Sequence, residues 1–441
     1  MSMAGPSGAG NSALHADSVR LPWVWIVCLV AVRVAVVVAQ PFLIDHVPEW
    51  KWSNNDGYDT LAIHWVESGV YALERGEPTA LRLPLYPALI SAAVFACGPA
   101  YPFAVMVAQA GLSIWTGILL FRMASGLFGR KSGLLALALF LVHPQVNLFV
   151  IRCATETLFT FLVVAFLHEV VRFVRTLQTR PLVWASFALG LSLLTRQTLA
   201  PLAWMGGVAL LAWSLRRRSE IRHRMAQAGV AVGVVFLLLA PWLARNRIHS
   251  GGDWILQTWV GQPLCQGAYV TRHLDEFLDG RKTLTELGQA CLVEIQVLEK
   301  RFVRTLPPGI SGIPREVAAD RYFRNRVREL LSRSPVDRAI RFFRNLLWAP
   351  VLQMTWKSTR VLMLCNWPVL LFGGWGVALW LRMPAVKRRE GLPVLVVFGY
   401  LYASHAATWP QARYILPGLV PFLAFAGFGL ERVCALFRRA A

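Results

Sequence analysis

Asp56 and Asp59 open a polar stretch, residues 56–87, that closes on Arg82-Leu83-Pro84-Leu85-Tyr86-Pro87. A carboxylate in such a place takes a proton from a hydroxyl or an amine. A guanidinium holds phosphate oxygens through paired N–H bonds as charge develops on them. More groups of these kinds recur further along: Arg152 and Glu156, then Arg196, Arg245, and Arg413 with Tyr414. Gathered on one face, they suit a reaction in which a nucleophile loses a proton and a phosphate departs. Each also has a structural reading. Asp56 is a loop carboxylate or a helix cap, and Asp59, directly before a helix expected near Thr60 to Tyr71, is better placed to cap than to catalyse. Glu156 would neutralise Arg152, while Arg196 and Arg413 would extend to a membrane interface. His143 and His64 read as packed histidines, and no His/Cys spacing marks a zinc site. Two carboxylates leave a divalent metal open, although a hard cation asks for roughly six or more oxygen ligands.

The elements that must position these groups are membrane helices. The 441 residues are 56% hydrophobic and 16% charged, and several apolar runs approach the ~20 residues that cross a bilayer. That excludes an ordinary soluble domain. The net charge of +21 lies at span ends and on one long loop, which points to anionic lipid and not to nucleic acid. The seven cysteines contain no CxxC; Cys28, Cys97, Cys365 and Cys434 read as packing residues, whereas Cys265 and Cys291 share a loop where a disulfide is allowed.

Residues 1–20, rich in Gly, Ser and Ala, read as a disordered cytoplasmic tail, and Leu21 to Phe42 as an uncleaved first span. Five basic segments begin at Arg122, Arg172, Arg216, Arg382 and Arg432. If all are cytoplasmic, an even number of crossings separates successive ones. The pairs are then Gly133 to Ile151 with Thr155 to Val171, Leu182 to Leu194 with Leu199 to Leu215, Val230 to Leu243 with Val361 to Leu381, and Leu392 to His405 with Ile415 to Val433. Tyr101 to Phe121 returns the first span, and Leu85 to Cys97, too short to cross, lies at the interface. The expected fold is an all-α polytopic membrane protein of about ten spans. Its units are 21–244 as an N-terminal transmembrane module with an outer loop at 43–100, then a long outer loop at 245–360, then C-terminal spans at 361–441. Basic amphipathic helices in 318–356 are expected along the interface.

The chain resembles the bacterial GT-C glycosyltransferases that use polyprenyl-phosphate sugars, a group including the lipid A aminoarabinose transferase and the protein O-mannosyltransferases. The resemblance rests on Asp56 with an alanine six residues on, Gly69-Val70-Tyr71, Arg82-Leu83-Pro84-Leu85-Tyr86-Pro87 and Ala154-Thr155-Glu156-Thr157. It continues through Leu194-Thr195-Arg196, Pro241-Trp242-Leu243-Ala244-Arg245, Gly261-Gln262-Pro263 and Arg413-Tyr414-Ile415-Leu416-Pro417. It implies a GT-C fold with Asp56 as catalytic base and Glu156 as the second acidic position. It also implies substrate contacts at Asp59, Arg82, Tyr86, Arg152, Arg196, Arg245, Arg413 and Tyr414. Arg82 stands where the lipid A enzymes carry lysine, and Leu83 replaces the first proline of their pair, which leaves the acceptor open among envelope lipid, glycan and protein. The implied reaction is inverting transfer from a polyprenyl-monophosphate sugar at the outer face of the cytoplasmic membrane. Two rivals stand beside it: a lipid or glycan flippase, which would place charges mid-membrane as Arg33 is, and a polyprenyl-diphosphate glycan ligase or polymerase.

Overall fold

A computed structural model describes residues 20–43, 56–74, 76–216, 220–331, 335–353 and 355–440. The expected disordered tail, apart from Arg20, lies outside them. The described chain is almost entirely helical. In order it forms α1 (Trp23–Leu43), α2 (Tyr58–Ser68), α3 (Leu85–Cys97), α4 (Tyr101–Phe128), α5 (Arg130–Val142) and α6 (Pro144–Leu148). There follow α7 (Glu156–Thr176), α8 (Thr179–Leu193), α9 (Ala200–Arg216), α10 (Ile221–His249), α11 (Gly261–Arg272) and α12 (Leu274–Leu278). The last six are α13 (Leu284–Val303), α14 (Gly312–Leu331), α15 (Pro335–Trp348), α16 (Trp356–Leu381), α17 (Ala385–Ala407) and α18 (Ala412–Ala440).

Seven helical stretches among the described residues are long and apolar enough to cross a membrane: Trp23–Phe42, Leu85–Phe128, Glu156–Thr176, Gln197–Leu215, Ile221–His249, Trp356–Leu381 and Ala412–Arg438. The chain is a multi-pass membrane protein. The other three expected crossings are α5, α8 and α17; the first two are short, at 13 and 15 residues, and α17 opens on a charged turn. The span expected over Gly133 to Ile151 is in fact broken. Pro144 has no N–H to give and forces the residue before it out of the helical region, so His143 is extended at φ −68°, ψ 119° and α6 starts afresh.

The core is built around α18, which packs against α4, α5, α7, α16 and α17. Its residues Leu419, Val420, Phe422, Leu423, Phe425 and Phe428 are buried. Glycines let α16 and α18 touch backbone to backbone: a Cβ at Gly376 would strike the Phe425 carbonyl, and one at Gly429 the Phe372 carbonyl. That close approach is the small-residue packing used between membrane helices. Arg33, in the middle of α1, is wholly buried; its Nε donates to Ser113 Oγ at 2.8 Å, its Nη1 to Asn147 Oδ1, and its guanidinium lies 5.2 Å from the Phe140 ring.

Two boundaries move. Helix α2 starts two residues and ends three residues earlier than expected, stopping where Gly69 takes φ 72°, a left-handed value that costs other residues dearly. Helix α10 continues to His249, so Arg245 belongs to its last turns and not to the outer loop. That loop is itself helical, α11 to α15. Thr283 starts α13 with a capping box, its Oγ1 accepting from Glu286 N while Glu286 accepts from Thr283 N, which satisfies two otherwise orphaned donors. Cys265 and Cys291 are free thiols buried in one small cluster with Ile295 and Phe323.

Candidate active site

The loop of residues 56–87 and three helix ends converge at one place. Asp56 immediately precedes α2, and the N-cap position belongs to Gly57 at φ 77°, with no side-chain capping bond. Asp56 is therefore not spent on capping. Arg82 holds the aspartate from the other end of the loop: its Nε donates to the Asp56 carbonyl at 2.9 Å, and its Nη2 lies 3.5 Å from Asp56 Oδ1. The Arg82 guanidinium itself sits between the rings of Trp259, at 4.9 Å, and Tyr58, at 5.5 Å. The Asp56 side chain keeps 39% of its surface, so its oxygens are reachable from outside.

Beneath this rim lies a buried charged group. Glu156, 1% exposed, opens α7, where the positive end of the helix favours a carboxylate. Arg196 Nη2 donates to Glu156 Oε1 at 2.8 Å, and Arg196 Nε donates to Thr155 Oγ1 at 2.7 Å. Arg413, from the start of α18, places its Nε 3.7 Å from the same Oε1 and donates through Nη2 to Tyr414 OH at 2.6 Å. The buried Arg413 Nε has no hydrogen-bond partner. Tyr414 lies against both arginines, with its centroid 5.3 Å from the Arg196 guanidinium carbon and 4.5 Å from that of Arg413, and the His405 ring stacks on it at 5.2 Å.

The two layers communicate electrostatically. Burial pushes the Asp56 carboxyl up, but Arg413, Arg82, Arg196 and Arg152 together outweigh it and hold the group below the ordinary carboxylate value. Four arginines thus face two carboxylates, and the site carries surplus positive charge. It can accept an anion while keeping Asp56 ionised.

The remaining expected residues are placed otherwise. Asp59 sits in the first turn of α2 and accepts from Thr60 N at 2.7 Å. Tyr86 is fully buried beneath the loop, donating to Gln109 Oε1 at 3.1 Å and meeting Tyr58 edge-on. Arg245 turns to the loop's main chain: Nη1 donates to the Thr79 carbonyl at 2.7 Å and Nη2 to the Tyr71 carbonyl at 3.1 Å. Neither Tyr86 nor Arg245 touches the charged group; both shape the loop around it.

Sequence reading missed the clamp that fixes the loop from outside. On α14, Glu316 accepts from Ala80 N at 2.9 Å, from Thr258 Oγ1 at 2.8 Å and from Thr79 Oγ1, while Asp320 accepts from Val260 N at 2.9 Å and Gly261 N at 2.5 Å. Burial raises the Glu316 carboxyl even against those bonds and the neighbouring Arg245. The four-residue spacing of Glu316 and Asp320 on one helix face was the available signal. Thr155, Trp259 and His405 were also passed over.

A resident divalent cation does not fit this arrangement. Among the described residues no three of His, Cys, Asp and Glu converge, and the two carboxylates each face arginine. An oxygen-rich cage of the kind such ions need is lacking there.

The fold is shared with solved structures of an archaeal oligosaccharyltransferase. Residues 82–244 match the family model described as dolichyl-phosphate-mannose-protein mannosyltransferase. Among solved structures, the apo oligosaccharyltransferase of Archaeoglobus fulgidus aligns with 95% of this chain at a TM-score of 0.54 and 14% identity, covering 51% of that enzyme. The same archaeon's AglB in complex with an inhibitory peptide and a dolichol-phosphate aligns at 0.53 and 15%, over 95% of this chain and 51% of the other. ArnT from Cupriavidus metallidurans bound to undecaprenyl phosphate aligns at 0.40 and 12%, over 94% and 78%. This chain spans about half the length of the oligosaccharyltransferase it matches. No curated protein matches the sequence.

Proposed function

We propose that this protein is an inverting membrane glycosyltransferase that moves a sugar from a polyprenyl-monophosphate donor to an envelope lipid, glycan or protein at the outer face of the cytoplasmic membrane. The observation that carries this reading is the buried Arg413 Nε, which lacks a hydrogen-bond partner although it lies 3.7 Å from the Glu156 carboxylate that Arg196 also holds, and whose charge acts on Asp56. The phosphodiester of a polyprenyl-phosphate sugar would supply the acceptor atoms that Arg413 Nε lacks and offset the surplus positive charge. Asp56, ionised and reachable, orients the acceptor hydroxyl or amine and takes its proton. The acceptor oxygen or nitrogen attacks the anomeric carbon from the face opposite the phosphate; the new glycosidic bond forms as the carbon–oxygen bond to phosphate breaks. The bonding pair leaves on polyprenyl phosphate, whose charge Arg413 and Arg196 stabilise without an added acid. Glu156 holds those two arginines in position. The family match over 82–244 and the dolichol-phosphate named with the archaeal neighbour support a lipid-phosphate donor.

The test is release of free polyprenyl phosphate from a panel of polyprenyl-phosphate sugars, with the folding of each protein checked by thermal melting. Asp56→Asn should still melt cooperatively, at a somewhat lower temperature because the arginines lose their partner, and lose about 10²-fold or more in turnover, the usual size of a general-base contribution. An equally active Asp56→Asn removes the base assignment. Consumption of diphosphate-linked donors alone moves the protein to the ligase or polymerase reading, and lipid translocation without product release moves it to the flippase reading.

A further inference from the structure

The outer-loop helices were expected together at the membrane interface, but the structure separates them. Helix α14 packs on α11 and clamps the first outer loop. Helix α15 instead carries Val336, Ile340, Phe343 and Leu347 in one stripe at helical spacing, with 69, 62, 64 and 59% of their surface exposed. The stripe faces away from the protein, because the opposite side is the attached one. Asn345 Nδ2 donates to the Ala406 carbonyl at 2.8 Å, and Tyr402 OH donates to the Leu346 carbonyl. An apolar row turned outward on a helix whose inner face is already pinned serves no folding purpose within this chain.

We propose that α15 is seated in the outer leaflet of the membrane this protein spans, with its apolar stripe among the upper acyl chains and its arginines at the phosphate level. Three observations name lipid as the occupant. The anchoring groups Tyr402 and Ala406 belong to the last turns of α17, next to the turn that leads to Arg413, so α15 lies where the spans emerge. Its C-terminal end joins the cluster of Val351, Leu362 and Ala412 at the tops of α16 and α18, with Trp348 packed on it. A few residues later α16 carries outward-facing Val361, Leu364 and Leu371, exposed at 46, 78 and 71% as a bilayer span requires. Charge agrees: Arg338, Arg341 and Arg344 lie on the helix, and Arg344 is turned to Asp275 and the Thr271 carbonyl. A helix with a basic side and an aromatic and aliphatic stripe of this kind inserts at the headgroup boundary.

The experiment uses the full chain in nanodiscs of mixed phosphatidylcholine and phosphatidylglycerol. Phe343→p-benzoylphenylalanine and, separately, Val336→p-benzoylphenylalanine are irradiated and analysed by mass spectrometry, with a Leu364 probe as the bilayer-facing control. Lipid adducts at 343 and 336 are expected. A cross-linked dimer at 343 would give the stripe to a second copy of this chain and overturn the proposal; so would absence of lipid adducts at both positions while Leu364 labels. Adding Arg338→Gln should lower the phosphatidylglycerol share of the adducts, by up to about fivefold for one basic residue at the surface. An unchanged share removes the headgroup role.

Discussion

The buried carboxylate at the head of α7 offers the sharpest perturbation. Glu156 is 1% exposed and answers two arginines, one at 2.8 Å and the other at 3.7 Å. At such separations, and at the effective dielectric that reproduces measured pairs, each attraction is on the order of 4 kcal/mol before desolvation is charged against it. Glu156→Gln removes both attractions and leaves two neighbouring, partly buried cations; breaking a fully buried pair costs about 3–5 kcal/mol, an upper bound here. Arg196→Met removes one charge-assisted bond, about 1.5–3 kcal/mol, because Arg413 still faces the carboxylate. The double variant carries a single buried cation. It should therefore be more stable than the sum of the two losses allows, by about 1.5 kcal/mol or more. All four proteins are compared by denaturant unfolding in one detergent, followed by melting with and without undecaprenyl phosphate. The lipid should raise the melting temperature of Glu156→Gln more than that of the wild type, since its phosphate supplies the missing anion. Additive losses, or a Glu156→Gln protein within about 1 kcal/mol of wild type, would refute the idea that this carboxylate positions the arginines.

Two further perturbations follow from the same geometry. The Asp56 carboxyl is held below its ordinary value by four arginines; its stabilising contribution is present above the unfolded value near ~3.9 and is lost as pH falls through the lowered native one. The acid limb of turnover should accordingly lie below about pH 4 and move upward in Arg413→Gln, and a wild-type limb near neutrality would contradict this. At Gly267 on α11 a Cβ would meet the Thr408 carbonyl and the Trp409 side chain. Gly267→Ala should displace the turn leading to Arg413 and lower turnover on the order of 10²-fold, with stability falling by only about 1–3 kcal/mol; unchanged kinetics would detach α11 from the site.

Much of the architecture was legible because hydrocarbon leaves few options. Apolar length and the placement of Lys and Arg set the order of spans, and the acids and arginines of the outer turns were read as one face before any contact was visible. Span shape was less legible: the interruption at His143 was written in Pro144, but the long apolar run around it masked the break. The site was legible as a set and not as a set of partners. Arg196 donates to Glu156 from 40 residues further along the chain, a pairing that no local spacing announces. Arg245 was read as a phosphate or sugar contact, and its bonds to the Thr79 and Tyr71 carbonyls were not legible, because an exposed arginine and one that holds main-chain carbonyls look alike in a string of letters. The Glu316 and Asp320 clamp was missed for a related reason: its donors are backbone amides and hydroxyls of segments distant in sequence.

The grip of Arg245 on the carbonyls of Tyr71 and Thr79 bears on how such a protein changes over generations. Every residue has a carbonyl, so this anchor is indifferent to what the intervening positions display. An exposed side chain between those two points, such as that of Glu74, can be exchanged while the chain's course stays the same. A lineage could alter what the loop displays and leave Arg245 alone, so that its surface diversifies while the charged group of Glu156, Arg196 and Arg413 keeps its place.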